Sequence, residues 1–244
     1  MSNVRPPFPV RLLPASTLER SLVMRLVIVA ATGGIGHELL EQSGDAGHDV
    51  TAVVRDPMRL SRPASSVAVD LAHPDPGALK AAVNGCDAVL SGLGPRSKSD
   101  TGVASTGTTA IVDAMRATGT RRLLVVSAAP IGTVPSPAYP RPPRHDPGDG
   151  FFMRHLFAPL TKLALRSQYR DLAAMEAIVR DSGLDWTIVR PPRLTNKRRT
   201  GRYRTAYGHN LRRGFLISRA DVADLMLRVI NDTGSIHQVV GVAN

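Results

Sequence analysis

The stretch LVIVAATGGIGHELL, Leu26 to Leu40, decides the fold class of this chain. An apolar run ends at a turn that contains Gly33, Gly34 and Gly36, and an amphipathic segment begins directly after it. Glycine lets a backbone approach a pyrophosphate closely, and a helix N-terminus supplies free N–H donors with a positive partial charge. A strand, a glycine-rich turn and a helix in this order indicate a dinucleotide-binding unit. The alternative is a tight connection that binds no ligand.

Short apolar runs alternate with amphipathic segments along the rest of the chain. The pattern predicts strands at residues 25–30, 50–54, 67–69, 88–90, 122–126, 186–189 and 239–242. It predicts helices at 35–43, 76–83, 104–117, 168–182 and 219–231. Strands separated by such helices form parallel sheets with right-handed crossovers. We therefore expect one α/β domain over residues 24–244, a Rossmann-like doubly wound parallel sheet with helices on both faces.

The first 23 residues differ from the rest of the chain. They are rich in Pro, Arg and Ser, contain one acidic residue, and lack the apolar core of a secretory signal. We interpret them as a disordered tail or an over-long start assignment, with a targeting peptide as the alternative.

The single cysteine, Cys86, excludes an internal disulfide and fits a reducing cytoplasm. A small buried thiol is the favoured interpretation of Cys86 over a nucleophile.

The net charge of +11 is concentrated in one part of the sequence. Residues 141–219 contain 17 Lys and Arg against six Asp and Glu, so the remainder is neutral overall. The strongest basic run, NKRRTGRYR at 196–204, fits a solvated loop or a rim that attracts NADPH or a phosphate-bearing substrate. A nucleic-acid interface is disfavoured, because aromatics are 4% of residues and no nucleic-acid-binding signature is present. No apolar run of membrane-spanning length occurs.

Arg55 follows the second predicted strand, 22 residues after Gly33. In a dinucleotide fold an acidic residue at this place binds the ribose 2′-hydroxyl of NAD, whereas an arginine holds the 2′-phosphate of NADP. Arg55 therefore favours NADPH as the cofactor, and Asp56 beside it leaves NADH open.

The proline-rich segment 129–150 is predicted to be a loop and a candidate lid. We expect residues 129–215 to form the substrate side.

From Met24 onward the sequence resembles the atypical short-chain dehydrogenase/reductase superfamily, in particular its NmrA-like and biliverdin/flavin-reductase-like branch. The resemblance rests on AATGGIG at 30–36, VVRDPMRL at 53–60, RRLLVVSAAPIG at 121–132 and ISRADVADLML at 217–227. Two longer segments, 67–94 and 182–203, match as well. The resemblance implies that the dinucleotide is bound by Thr32, Gly33, Gly34, Ile35, Gly36, Arg55, Asp70, Leu71, Ser91, Gly92, Leu93, Ser127, Pro191 and Pro192.

Two departures from the family pattern bear on chemistry. Ala30 replaces the first glycine of the turn, which is tolerable if its φ is negative. The Tyr-x-x-x-Lys pair of short-chain dehydrogenases is absent, because none of the four tyrosines has Lys four residues on. The usual alcohol-dehydrogenase chemistry is therefore not supported. A reductase can still act on a conjugated acceptor, such as a flavin, that takes its proton from water.

The candidate catalytic residues are Ser127, Tyr169 and Glu176. The resemblance makes Ser127 the active-site serine; a serine that bonds backbone at a strand end is the alternative. Tyr169, Asp171 and Glu176 share one predicted helix and are candidates for a polar cluster above the nicotinamide, with Glu176 either a proton relay or a solvated helix charge. That helix lacks the histidine of the tetrapyrrole reductases.

These features predict an NADPH-dependent reductase of a small conjugated acceptor, such as a flavin or a quinone. The rival hypothesis is a non-catalytic NADP(H)-binding redox sensor with a protein partner. An epimerase or dehydratase that holds NAD tightly is disfavoured by Arg55 and by the missing Tyr-Lys pair. The histidines show no metal-ligand spacing, so we predict no metal site.

Overall fold

The computed structural model describes residues 11–12, 23–94, 100–136, 140–143, 146 and 166–244. The strands are β1 (Arg11–Leu12), β2 (Arg25–Val29), β3 (Asp49–Val54), β4 (Ser65–Ala68), β5 (Ala88–Ser91), β6 (Arg122–Val126), β7 (Asp185–Arg190), β8 (Arg193–Thr195), β9 (Arg204–Tyr207), β10 (Leu216–Ser218) and β11 (Gln238–Ala243). The α-helices are α1 (Gly34–Asp45), α2 (Pro76–Val83), α3 (Val103–Thr118), α4 (Arg166–Arg180) and α5 (Arg219–Arg228).

In these residues, nine strands form one sheet in the order β1-β9-β11-β7-β6-β5-β2-β3-β4. All pairs from β11 to β4 are parallel, whereas β9 is antiparallel to both β11 and β1. Strands β8 and β10 form a separate parallel pair. The strand order reverses at β2, which lies between β3 and β5. Ligands of open α/β sheets bind at such a switch point, beside the carboxyl ends of the strands.

The sheet is buried on both faces, which explains why its central strands are continuously apolar. Alternate residues of β2 point to opposite sides. Val27 and Val29 pack in a cluster with residues of α2, α3 and α4, whereas Leu26 and Ile28 pack with residues of α1 and α5. The predicted fold class, a single Rossmann-like domain, is confirmed. No helix in the described part is both long and apolar enough to cross a membrane.

The sequence pattern missed the short strands. β8 and β10 have three residues each and β9 has four, too few for a two-residue period to stand out from a polar, arginine-rich background. Arg11 and Leu12, inside the segment predicted to be disordered, pair with Thr205 and Arg204 of β9. Part of the proline-rich segment 129–150 predicted as a lid, namely residues 137–139, 144–145 and 147–150, lies outside the described residues.

Candidate functional site

A cavity of about 590 Å³ lies at the carboxyl ends of β2, β3, β5 and β6. Its volume is in the range of small-molecule and cofactor sites, and its place is the switch point of the sheet. The predicted site residues that line it are Thr32, Gly33, Gly34, Ile35, Arg55, Asp70, Leu71, Gly92, Leu93, Ser127 and Tyr169. Residues from six separate segments of the sequence thus meet on one surface.

Five predicted site residues lie outside this cavity wall: Gly36, Ser91, Pro191, Pro192 and Glu176. Gly36 has a packing role, because a Cβ there would lie 2.1 Å from the carbonyl oxygen of Ala30. Ser91 is buried, and its hydroxyl accepts a hydrogen bond from the N–H of Leu93 over 3.3 Å. Pro191 is buried as well.

The glycine-rich turn is built for a close approach by a ligand. Gly33 caps α1 and donates its N–H to the carbonyl of Ala30 over 2.7 Å, so the helix begins at Gly34. The N–H groups of the first helical turn have no intrahelical acceptor and carry the positive end of the helix dipole. A diphosphate supplies the acceptors and the charge that such a turn lacks. The turn therefore fits the phosphates of a dinucleotide.

Ala30 is strained in this turn. Its φ is +58°, in the left-handed region that favours glycine. The negative φ on which the tolerance of alanine here depends is therefore not observed. The hydrogen bonds that fix the peptide explain why the conformation persists: Ala30 donates to Val53 over 2.9 Å and accepts from Gly33.

Arg55 follows β3 directly, is exposed, and lines the cavity. Its neighbour Asp56 is oriented differently. The Asp56 carboxylate accepts the N–H of Met58 over 3.0 Å and caps the short 3₁₀ helix Pro57–Arg59. Of this acidic and basic pair, the arginine faces the cavity and the aspartate belongs to the turn. Asp70, further along the cavity wall, accepts the N–H of Ala72 over 3.1 Å.

Ser127, Glu176 and Arg190 form a buried hydrogen-bonded network. The hydroxyl of Ser127 donates to Oε1 of Glu176 over 2.6 Å. Arg190 donates to both carboxylate oxygens of Glu176, from Nε over 2.8 Å and from Nη2 over 2.5 Å. Glu176 is 3% exposed and Arg190 8%. The expectation that Glu176 is a solvated helix charge is therefore wrong, because the carboxylate is enclosed and neutralised by Arg190.

Asp171 serves a neighbouring helix rather than a polar cluster in the cavity. Its carboxylate accepts the N–H groups of Gly102, Ala104 and Ser105 over 2.9–3.1 Å, and the Ser105 hydroxyl over 2.6 Å. These N–H groups belong to the start of α3, which a carboxylate stabilises. Asp171 thus fixes the segment 100–103, which forms part of the cavity wall. Of the three polar residues proposed on this helix, Tyr169 alone lines the cavity.

Sequence reasoning missed two arginines. Arg190 ends β7 and holds Glu176; nothing in its local pattern distinguishes it from other strand-end arginines. Arg219 begins α5 and lines the cavity beside Gly34. A local signal existed for the start of this helix, because Ser218 and Asp221 have the spacing of a capping pair. The Ser218 hydroxyl accepts the N–H of Asp221 over 2.9 Å.

Tyr203, the tyrosine of the basic run 196–204, does not line the cavity and so cannot transfer a proton there. Tyr203 is buried and donates its hydroxyl to Asp224 over 2.6 Å. Burial, and then the adjacent Asp224 carboxylate, raise the pKa of Tyr203 well above its ordinary value. Arg198 and Arg202 of the same run are exposed. The described residues contain no group of His, Cys, Asp and Glu that could hold a metal ion.

Comparison with known families identifies the class of ligand. A family model described as NAD(P)H-binding matches residues 30–233. A UPF0659 protein of Schizosaccharomyces pombe is 32% identical over 130 residues, which are 53% of this chain and 49% of that protein. The chain thus spans about half the length of this relative. The uncharacterized sugar epimerase YhfK of Bacillus subtilis is 28% identical over 86% of this chain and 89% of its own length.

Three solved structures show the same fold. A short-chain dehydrogenase/reductase of Veillonella parvula in complex with NADP superposes with a TM-score of 0.71 at 18% identity, covering 91% of this chain and 95% of that one. ChuY, an anaerobilin reductase of Escherichia coli O157:H7, superposes with a TM-score of 0.69 at 20% identity, covering 90% of this chain and 96% of that one. A Streptococcus pneumoniae protein proposed to be an NADH-flavin reductase superposes with a TM-score of 0.65 at 23% identity, covering 91% of this chain and 99% of that one.

Proposed function

Because this chain belongs to the NAD(P)H-binding family, we propose that it is an oxidoreductase that uses NADPH in preference to NADH. Its substrate is a small conjugated acceptor, such as a flavin or a quinone. The observation that carries this proposal is the arrangement of the cavity, in which the glycine-rich turn, Arg55 and Ser127 share one surface. A turn for a diphosphate, a cation for a 2′-phosphate and a polar side chain are the groups that a dinucleotide and an acceptor would require in one cavity.

The chain's own residues bind and orient rather than supply a proton. When bound, NADPH supplies the hydride, and the acceptor completes its two-electron reduction with a proton from water. The turn at 32–35 would hold the diphosphate, and Arg55 would hold the 2′-phosphate. Leu71 and Leu93 form apolar parts of the wall. Tyr169 lines the same cavity as Ser127 and offers an aromatic face to the acceptor.

Ser127 supports this proposal through the direction of its hydrogen bond. Its proton is directed to Glu176, so the hydroxyl oxygen offers lone pairs to a ligand. A side chain of this kind recognises an N–H or O–H group of the ligand and does not protonate it. Acceptors that need no acid from the protein, including flavins and quinones, fit this chemistry. Two structural neighbours, named as an anaerobilin reductase and a proposed NADH-flavin reductase, support a conjugated acceptor as the substrate.

The test is NADPH consumption at 340 nm by the full chain, with FMN, riboflavin, biliverdin and a set of quinones as acceptors. Turnover with one acceptor, with a KM for NADPH that rises in Arg55→Ala, supports the proposal and names the substrate class. NADPH binding without turnover on any acceptor contradicts it. That outcome favours the rival function, a redox sensor that reports the state of its bound dinucleotide to a protein partner.

A further inference from the structure

The side chain of Arg219 lies directly against the first residue of α1. A Cβ placed on Gly34 would lie 2.5 Å from Nε of Arg219 and 2.6 Å from its Cδ. Both residues line the cavity, at the turn where the helix presents its free N–H groups. The absence of a side chain on Gly34 therefore leaves room for this guanidinium. The arginine comes from α5, nearly 190 residues away in sequence.

Three contacts hold Arg219 in this position. Gln42 of α1 donates to the carbonyl of Ala220 over 2.9 Å in a buried environment and so links the two helices. Ser218 caps α5 and fixes its first turn. Arg219 donates from Nη1 to Oδ1 of Asn196 over 2.5 Å. The backbone next to Arg219 is thus held in place, and one end of its guanidinium is bound by Asn196.

The charge of Arg219 has no ion-pair partner among the described residues. The nearby Asp221 carboxylate is engaged elsewhere: it accepts from Thr200, Gly201 and Ser218. Arg219 is also the first residue of α5, where a cation is unfavourable to the helix dipole, and it borders the positive end of α1. Asp221 lies in the first turn of α5, whereas the first turn of α1 has no acidic residue, so Arg219 and the N-terminus of α1 are two positive elements in the cavity wall.

We infer that Arg219 is a second cation for the dinucleotide, which binds the diphosphate against the N-terminus of α1. This inference rests on the proposed function. Arg55 and Arg219 then have separate tasks. Arg55 reads the 2′-phosphate, which only NADP(H) carries, whereas Arg219 contacts the diphosphate, which NAD(H), NADP(H) and ADP-ribose share. Asn196 is a positioning residue, because it contacts the arginine and acts on the ligand through it.

Binding measurements separate these tasks without any turnover. The probes are NADPH, ADP-ribose and 2′-AMP. ADP-ribose has the diphosphate and lacks the 2′-phosphate, whereas 2′-AMP has the 2′-phosphate and lacks the diphosphate. The variants are Arg219→Met, which keeps an apolar stem over Gly34, and Arg219→Lys. Arg193→Met is the matched control, because this arginine is exposed and lies outside the cavity wall. Dissociation constants come from calorimetry, or from competition against NADPH fluorescence, and thermal unfolding checks the fold of each variant.

We expect Arg219→Met to weaken the binding of both NADPH and ADP-ribose about tenfold, because one charge-assisted contact is lost. The affinity for 2′-AMP should remain unchanged. Arg219→Lys should recover part of the loss, and Arg193→Met should bind like the wild type. The inference is overturned if Arg219→Met binds ADP-ribose as the wild type does, or if it weakens 2′-AMP equally. A wild-type protein that binds none of the three overturns the proposed function as well, so the two failures are distinguishable.

Asn196 provides an independent check. Asn196→Asp places a carboxylate against the guanidinium, which should neutralise Arg219 and weaken ADP-ribose binding severalfold. The same change should leave the affinity for 2′-AMP unaltered. An unchanged affinity of Asn196→Asp for ADP-ribose would contradict a role of the Arg219 charge in holding the diphosphate.

Discussion

Ser127, at the end of β6, donates its hydroxyl proton to Glu176 on α4, and Arg190 at the end of β7 holds the same carboxylate on its other side. One buried ion pair therefore determines the hydrogen-bonding character of a serine in the cavity wall. Neither Glu176 nor Arg190 lines the cavity. In the proposed site they therefore contact Ser127 or its partner rather than the ligand.

Replacing Glu176 by Gln should weaken the buried network that orients Ser127. Both carboxylate oxygens accept from Arg190, so the NH2 group of Gln places a donor against a donor at one of the two positions. The substitution also leaves the buried guanidinium of Arg190 without its counter-charge. We expect Glu176→Gln to lower the free energy of unfolding by about 3 kcal/mol, measured by urea denaturation. Asp185→Asn, which removes the exposed ion pair with Arg121, is the control and should cost much less.

Catalytic measurements on the same variant separate orientation from stability. At a temperature where both proteins are folded, we expect Glu176→Gln to lower kcat for the acceptor while KM for NADPH changes little. Ser127→Ala should have a similar kcat effect without the loss of stability. Full activity in both variants would exclude a role of this network in turnover.

Removing the Arg55 charge should change cofactor selectivity. Arg55 lines the cavity after β3, while Asp56 is engaged by the N–H of Met58. We expect Arg55→Ala to raise KM for NADPH about tenfold and to leave KM for NADH within about twofold. Arg59→Ala, a change at a nearby exposed arginine outside the cavity wall, should leave both constants unaltered. Equal effects on NADPH and NADH would show that Arg55 does not read the 2′-phosphate.

The strained residue Ala30 offers a stabilising substitution. With φ at +58°, Ala30→Gly should raise the free energy of unfolding by about 1 kcal/mol, because glycine adopts this conformation without a steric cost. Gly36→Ala should do the opposite, since its Cβ would lie 2.1 Å from the carbonyl oxygen of Ala30. Chemical denaturation of both variants measures the difference. A destabilised Ala30→Gly protein would contradict the assignment of strain to this position.

Asp171 should link helix stability to ligand binding. Its carboxylate accepts three N–H groups at the start of α3 and is 6% exposed. We expect Asp171→Asn to destabilise the protein by about 2 kcal/mol and to increase hydrogen exchange at residues 100–106. NADPH affinity should fall as well, because this segment forms part of the cavity wall. Unchanged exchange at these amides would contradict the capping role.

The thiol of Cys86 should react slowly at neutral pH. Burial is the largest influence on its pKa and raises it, so less thiolate is present at any given pH than for a free cysteine. We expect the rate of alkylation by iodoacetamide to remain low at pH 7.5 and to rise steeply only at alkaline pH. The urea-unfolded chain is the reference and should react faster at the same pH. The structure shows Cys86 partly rather than fully buried, and equal rates for the two forms would contradict its interpretation as a partly buried structural thiol.

The local sequence determined the elements that carry a strong pattern. Central strands such as β2 and β6 are apolar on consecutive residues because they are buried on both faces, and the helices between them are amphipathic and long. Gly33 and Gly34 were identifiable because a close phosphate approach and a strand-to-helix turn both require glycine. Arg55 followed from its distance to that turn. These features depend on residues near one another in the chain.

The tertiary structure decided which polar side chains share a surface. Glu176 could not be assigned from its helix, because its partners Ser127 and Arg190 come from two other strands. Arg219 reaches Gly34 only through the packing of α5 on α1. Asp171 likewise caps a helix that begins about 70 residues earlier. Periodicity reports which face of an element is buried, whereas the partner of a buried charge depends on distances across the fold.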